Sequence, residues 1–115
     1  MYFYKTKENL IIDSKELIEN DNYKLFKEFE IDGAYEKHVP VYDIKDGIID
    51  INVGSQIHPM LSNHYIEFIA VETDKSYYKK VLKPDDLPNA KFIINDEKVI
   101  AVYEYCNLHG LWKNK

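Results

Sequence analysis

"VYDIKDGIIDINVGS" occupies residues 41–55, and in it Asp46-Gly47 stands between two runs rich in isoleucine and valine. Both flanks are β-prone, and Asp-Gly accepts the left-handed dihedrals of a two-residue hairpin turn without strain. Val39 to Lys45 and Ile48 to Val53 are therefore expected to pair as antiparallel strands. The same grammar extends outward. "HYIEFIAVET" (64–73) alternates weakly, which puts Ile66, Phe68 and Ala70 on one face. "KVIAVYEYC" (98–106) puts Cys106 on the face of Ile100 and Val102, directed into a sandwich interior. In "LKPDDLPNA" (82–90) two prolines exclude helix and central strand alike, leaving a connecting loop. Only "SKELIEN" (14–20) suits a short helix, with Ser14 as its cap. The expected fold class is all-β, a β-sandwich with a small N-terminal β-rich extension built around "YFYK", "LIID" and "YKLFKEF".

A chain of 115 residues is large enough for one core without covalent staples, and its single cysteine, Cys106, forbids an internal disulfide. That cysteine is a buried inert thiol, a reactive thiol or a lone metal thiolate, and a reducing compartment suits all three. The opening "MYFYKTKENLIID" has charges where a secretion signal needs an apolar core, and no run approaches the ~18 apolar residues of a membrane span. A cytoplasmic location is expected. With a net charge of −5 and no basic cluster along the sequence, neither nucleic acid nor an anionic membrane is an expected partner.

The chemistry gathers downstream of Tyr35. All four histidines, His38, His58, His64 and His109, lie there, each near an expected strand end, and His109 follows Cys106 by three residues. Pro59 holds His58 extended. Strand ends of a sandwich collect at two rims, so the five donors are expected to share one rim. Each alone reads most simply as a partly solvated polar residue or, for the thiol, a small hydrophobe. The set is exhaustive, however, since the polar first third contains neither histidine nor cysteine. Imidazole with thiolate suits iron, copper or zinc. Five donors exceed a closed tetrahedral zinc site, and "NLHGLWKNK" lacks the methionine of a blue-copper centre. Four imidazoles in a plane with one thiolate beneath would leave a sixth position open, an arrangement that suits iron.

"EKHVPVYD", "VGSQIHPMLSNHYIEFI", "LKPDDLPNAKF" and "YCNLHGLWK", in that order, resemble the superoxide reductases, a family that includes desulfoferrodoxin and neelaredoxin. The resemblance runs from about Glu36 to Lys113. It implies an immunoglobulin-like sandwich over residues 36–115 and a mononuclear Fe2+/Fe3+ site with His38, His58, His64 and His109 equatorial and Cys106 axial. It also implies that Glu36 occupies the sixth position when the iron is oxidised and that Lys37 lies over the open ferrous site. The implied activity is one-electron reduction of superoxide to hydrogen peroxide, with a rubredoxin-like electron donor and a homodimer or homotetramer as partners.

Residues 1–35 are similar to the small desulforedoxin-like domain of desulfoferrodoxin, but with Thr6 and Asn9 in the neighbourhood of its metal ligands and no cysteine. A second iron centre of that kind is excluded. Phe68 stands where the family often has tryptophan, a change expected to alter packing beside the pocket. The competing readings are a non-catalytic iron or zinc store or sensor of the same fold, and a metal-free interaction domain.

Overall fold

The computed structural model describes residues 1–114. The elements are β1 (Tyr2–Thr6), β2 (Ile11–Ser14), β3 (Tyr23–Phe26), a helical turn α1 (Tyr35–His38), β4 (Pro40–Lys45), β5 (Ile48–Val53), β6 (Ile66–Thr73), β7 (Tyr77–Val81), β8 (Asn89–Ile93), β9 (Val99–Cys106) and β10 (Gly110–Lys113). They form three antiparallel sheets, ordered β2-β1-β3, β10-β9-β6-β7 and β4-β5-β8. The last two close face to face as an immunoglobulin-like sandwich over Ile49, Ile51, Val53, Ile66, Ile69, Val71, Val102 and Cys106. Among the described residues no helix is long and apolar enough to cross a membrane.

The central hairpin forms as its residues require. Ile48 opposes Lys45 across the turn, and Asp46 and Gly47 adopt φ of 54° and 76°. A side chain at Gly47 would also press on the Asn95 backbone at 3.1 Å, because the Gly47 carbonyl accepts the N–H groups of Ile94 and Asn95.

Alternation fails where strands bulge. The β6–β9 ladder shifts register between Ile66 and Phe68 and again between Glu72 and Thr73. The first bulge divides the expected face: Ile66 joins Ile69 and Val71 in the sandwich core, while Phe68 and Ala70 turn to the other side of the sheet. Near the second, Ile100 is 59 % exposed, whereas Val102 and Cys106 point inward as expected. A bulge inserts one unpaired residue and so breaks period-2 counting across it. Phe68 is consequently not beside the metal-donor pocket. It packs under the N-terminal sheet, stacked on Phe3 at 5.8 Å and on Tyr105 at 5.9 Å.

That outer face carries a second core of Phe3, Phe68, Ala70, Ala101, Tyr103, Tyr105 and Leu111. Burying each of its large side chains stabilises the fold by roughly 1.5–3 kcal/mol, enough to seat the three-stranded sheet on the sandwich. Polar ties reinforce the seat: Asp13 accepts from Tyr77 Oη and Lys79 Nζ, both at 2.9 Å.

The helix expected over residues 14–20 is absent. Ser14 ends β2, and its hydroxyl accepts the Glu16 N–H at 3.1 Å and donates to the Glu16 carbonyl at 2.7 Å. Serine captures the backbone in a local turn here, which competes with helix nucleation. Three strands, β7, β8 and β10, go beyond the sequence reading. In β7 and β8 exposed lysines mix with half-buried aromatics, which blurs period-2 alternation.

Candidate metal centre

Four separate segments deliver the five donors. His38 is the last residue of α1 rather than part of a strand. Its turn is held by the His38 N–H bonding to the Ala34 carbonyl at 3.1 Å and the Val39 N–H to the Tyr35 carbonyl at 2.9 Å. The segment after β5 buttresses this turn. Gly54 lies so close that a Cβ would meet the Glu36 and Val39 carbonyls at 2.8 Å, while the Gln56 N–H bonds the Glu36 carbonyl at 2.8 Å. The same segment continues to His58. His64 pairs with Leu61 just before β6, and His109 sits in the turn between β9 and β10, where Gly110 adopts φ of 79°.

The imidazoles form a closed ring in the order His38, His58, His64, His109, with successive ring centroids 4.7, 4.7, 5.1 and 4.6 Å apart. His38 Nε2 lies 3.2 Å from His58 Nε2 and 3.1 Å from His109 Nδ1. Cys106 Sγ lies 3.5 Å from His58 Nε2 and 3.7 Å from His109 Nδ1. One donor atom from each residue lies within 4.8 Å of all the others.

Hydrogen bonding decides what these atoms offer. His38 Nδ1–H donates to the Ala34 carbonyl at 2.8 Å, and His58 Nδ1–H to the Pro59 carbonyl at 2.6 Å. Each ring is thereby held as the neutral tautomer with its lone pair on Nε2. Two Nε2 lone pairs facing at 3.2 Å repel unless a cation lies between them. His64 Nε2 is buried and has no hydrogen-bond partner among the described residues. A mononuclear cation satisfies all of these atoms at once, since nitrogens about 2.1 Å from a common centre stand about 3 Å from their neighbours.

The electrostatics agree. Burial lowers the pKa of His38 and His64 and takes that of His58 down to about 4, with the neighbouring imidazoles adding to the shift, so these three rings remain neutral candidate donors at pH 7. Burial pushes the Cys106 thiol up to about 11, against the backbone N–H groups of Leu108 and His109, which hydrogen-bond the sulfur. A coordinated cation overrides the burial and leaves a thiolate.

Glu36 and Lys37 project from α1 into solvent, and neither forms an ion pair among the described residues. Their fields still reach the ring: Lys37 helps to lower the pKa of His64, and Glu36 acts in the opposite sense on His38.

Sequence reading passed over two neighbours of the site. Trp112 is 1 % exposed, stacks on the His38 ring at 4.9 Å, and donates Nε1–H to the His109 carbonyl at 3.0 Å, so one indole steadies two of the four imidazoles. Glu104 is wholly buried on β9, and both its oxygens lack a hydrogen-bond partner among the described residues. The parity that directs Cys106 and Val102 inward directs Glu104 inward as well, so the signal was available.

Burial raises the Glu104 pKa well above the ordinary carboxylate range. The folded chain therefore keeps a proton that the unfolded chain releases above about pH 4.5, and stability falls as pH rises from there. In thermal denaturation of the metal-free protein, Glu104→Gln is expected to melt higher than wild type at pH 8, with the gap closing toward pH 4.5. A gap that does not change with pH would contradict this.

A β-sandwich whose rim brings four imidazoles and one thiol within 4.8 Å of one another has a site able to hold a single metal ion. The chain matches the family described as Desulfoferrodoxin over residues 30–115. It is 52 % identical over 90 residues to a desulfoferrodoxin of Nitratidesulfovibrio vulgaris, a match covering 78 % of this chain and 71 % of that protein. To a superoxide reductase of Thermococcus kodakarensis it is 32 % identical over 98 residues, covering 70 % of this chain and 85 % of that one. Among solved structures, the superoxide reductase from Treponema pallidum superposes with a TM-score of 0.80 at 29 % identity, covering 98 % of each chain. The superoxide reductase (1Fe-SOR) from Giardia intestinalis gives 0.59 at 31 % identity, covering 69 % of this chain and 95 % of that one. The chain belongs to the desulfoferrodoxin family.

Proposed function

We propose that the protein is a superoxide reductase whose mononuclear iron would be held by His38, His58, His64, His109 and Cys106. The observation that carries this reading is the closed ring of imidazoles, two of them presenting lone pairs to one another at 3.2 Å, with the sulfur 3.5 Å from one ring nitrogen. When bound, iron supplies the single electron that, with two protons, converts superoxide to hydrogen peroxide.

The chain's own residues do the rest. The carbonyls of Ala34 and Pro59 hold two rings in the tautomer that presents Nε2. Neutral imidazoles would add no charge, so among the five donors Cys106 alone would offset the metal's positive charge, and the N–H groups of Leu108 and His109 moderate the basicity of its sulfur. Lys37 would draw the anionic substrate toward the ring, and Glu36 would bind the iron in its oxidised form. Residues 1–35 are the counterpart of a desulforedoxin-like region without its metal. In support, Thr6 Oγ1 accepts the Leu10 N–H at 3.1 Å, so the turn holds itself by a side-chain hydrogen bond. A rubredoxin-like carrier supplies electrons in the cytoplasm, and the chain assembles as a homodimer or homotetramer.

Anaerobic purification, metal analysis and addition of superoxide test the reading. About one iron per chain, and peroxide formation without dioxygen release, are expected. Zinc, or iron that does not turn over, would instead make the protein a metal store or sensor. In the same preparation, a ferric Glu36→Ala spectrum identical to wild type would remove Glu36 from the site.

A further inference from the structure

The proposed reaction consumes one electron per turnover. Among the described residues the His4Cys cluster is the only group of metal-binding side chains, so the electron must come from outside. The geometry points to a docking face for its donor: the lysine-rimmed cavity between the N-terminal sheet and β9–β10, fitted to an acidic one-electron carrier protein. This rests on the function proposed above.

The cavity holds about 280 Å3, and its rim carries Lys5, Lys24 and Lys27 over a floor that includes Phe26, Tyr105 and Leu111. Lys5 and Lys24 stand directly opposite one another across the β1–β3 ladder. Like charges in that register are destabilising, and no ion pair relieves any of the three lysines among the described residues. Glu30 lines the same cavity and accepts the Lys27 backbone N–H, so it offsets one of the three positive charges and leaves the lysines in excess, and Glu67 forms no ion pair with Lys5. In a chain of net charge −5, this is a local positive face without a partner of its own. An acidic protein surface supplies the missing carboxylates, and the apolar floor gives it somewhere to seat.

The floor leads to the candidate metal site. Tyr105 is 7 % exposed, its hydroxyl has no hydrogen-bond partner among the described residues, and its ring packs on Phe26 at 5.6 Å. The next residue is Cys106, the candidate sulfur ligand. A carrier seated here gives up one electron and is oxidised, and the ferric site gains that electron through the Tyr105–Cys106 link with no bond made or broken. None of the cavity's residues is Glu36, Lys37 or one of the four histidines, so the carrier leaves the substrate's side clear. The N-terminal sheet, which supplies Lys5 and Lys24 and leads directly into Lys27, thereby acquires a task.

The test is stopped-flow reduction of the ferric iron-loaded protein by a reduced acidic rubredoxin, at low and at physiological salt. Lys5→Glu/Lys24→Glu/Lys27→Glu is expected to slow this step about tenfold or more at low salt and to flatten its salt dependence, with the triple glutamine variant between it and wild type. Both variants should keep the ferric absorption spectrum, reduction by dithionite, and the reaction of pre-reduced protein with superoxide. Amide shifts induced by the rubredoxin in metal-free wild type should fall on β1 and β3. An unchanged carrier rate would overturn the proposal, as would an equal slowing with dithionite, which marks a small-anion site, or shifts centred on Ile57 and Leu87 beside His58 and Lys37. If wild type fails to react with superoxide at all, it is the functional reading that falls.

Discussion

Cys106→Ala is expected to abolish the thiolate-to-iron absorption of the oxidised protein and to cut its superoxide reactivity by at least ~100-fold, because in the proposed site the residue would supply the only anionic donor of the five. Neighbours that merely orient a ligand already cost roughly 10–100-fold when lost, and a ligand that also sets the charge of the site costs more. The thiol is wholly buried, so its accessible chemistry is limited to what enters the ring of imidazoles. Truncation leaves a small gap among Val53, Ile66 and Val102, partners in the same core, so some loss of thermal stability accompanies the chemical defect. Cys106→Ser separates the two effects, since it nearly preserves volume and replaces a polarizable thiolate with a weakly acidic hydroxyl. Both variants should lose the visible band, and Cys106→Ser should melt closer to wild type. Optical spectra, metal analysis and pulse radiolysis together decide the matter. Retention of the band by Cys106→Ser would mean that the sulfur is not a ligand.

Lys37→Ala carries the second large effect. Its second-order rate with superoxide should fall about tenfold at low salt, and the remaining rate should depend less on ionic strength. The argument is one of distance. An ammonium about 6 Å from the incoming anion keeps roughly half of its interaction, whereas that of an excess of five negative charges about 20 Å away is cut roughly tenfold by a Debye length near 8 Å. The local cation therefore outweighs the global charge. Lys37 already influences the ring through its field on His64, and its position on the α1 turn is fixed by the Gly54–Gln56 segment rather than by any ion pair of its own. An unchanged rate would show that superoxide reaches the site without it.

The donors were legible because their chemistry is scarce. Four imidazoles and one thiol in a short chain, all placed beyond Tyr35, left few alternatives, and the Asp46-Gly47 turn announced the hairpin that anchors one sheet. What escaped was geometry that depends on more than one strand. The bulges in the β6–β9 ladder reassigned Phe68 and Ile100, and no pattern within either strand signals where such an insertion falls. Ser14 looked like a helix cap because serine serves both caps and isolated turns with the same hydrogen bond. Trp112 could be read as a core aromatic, but that its ring lies on His38 follows only from the packing of β10 against α1.

The candidate ligands lie far apart in the chain, His38 and His109 by 71 positions. An ion seated among them fastens the turn before β4, the loop after β5, the start of β6 and the β9–β10 corner into one knot. Closing such long spans is entropically costly for the bare polypeptide, and a tightly held cation repays that cost only in the native arrangement. The pocket thus doubles as a clasp, and loss of its ion would loosen one whole end of the molecule, redox chemistry and mechanical integrity failing together.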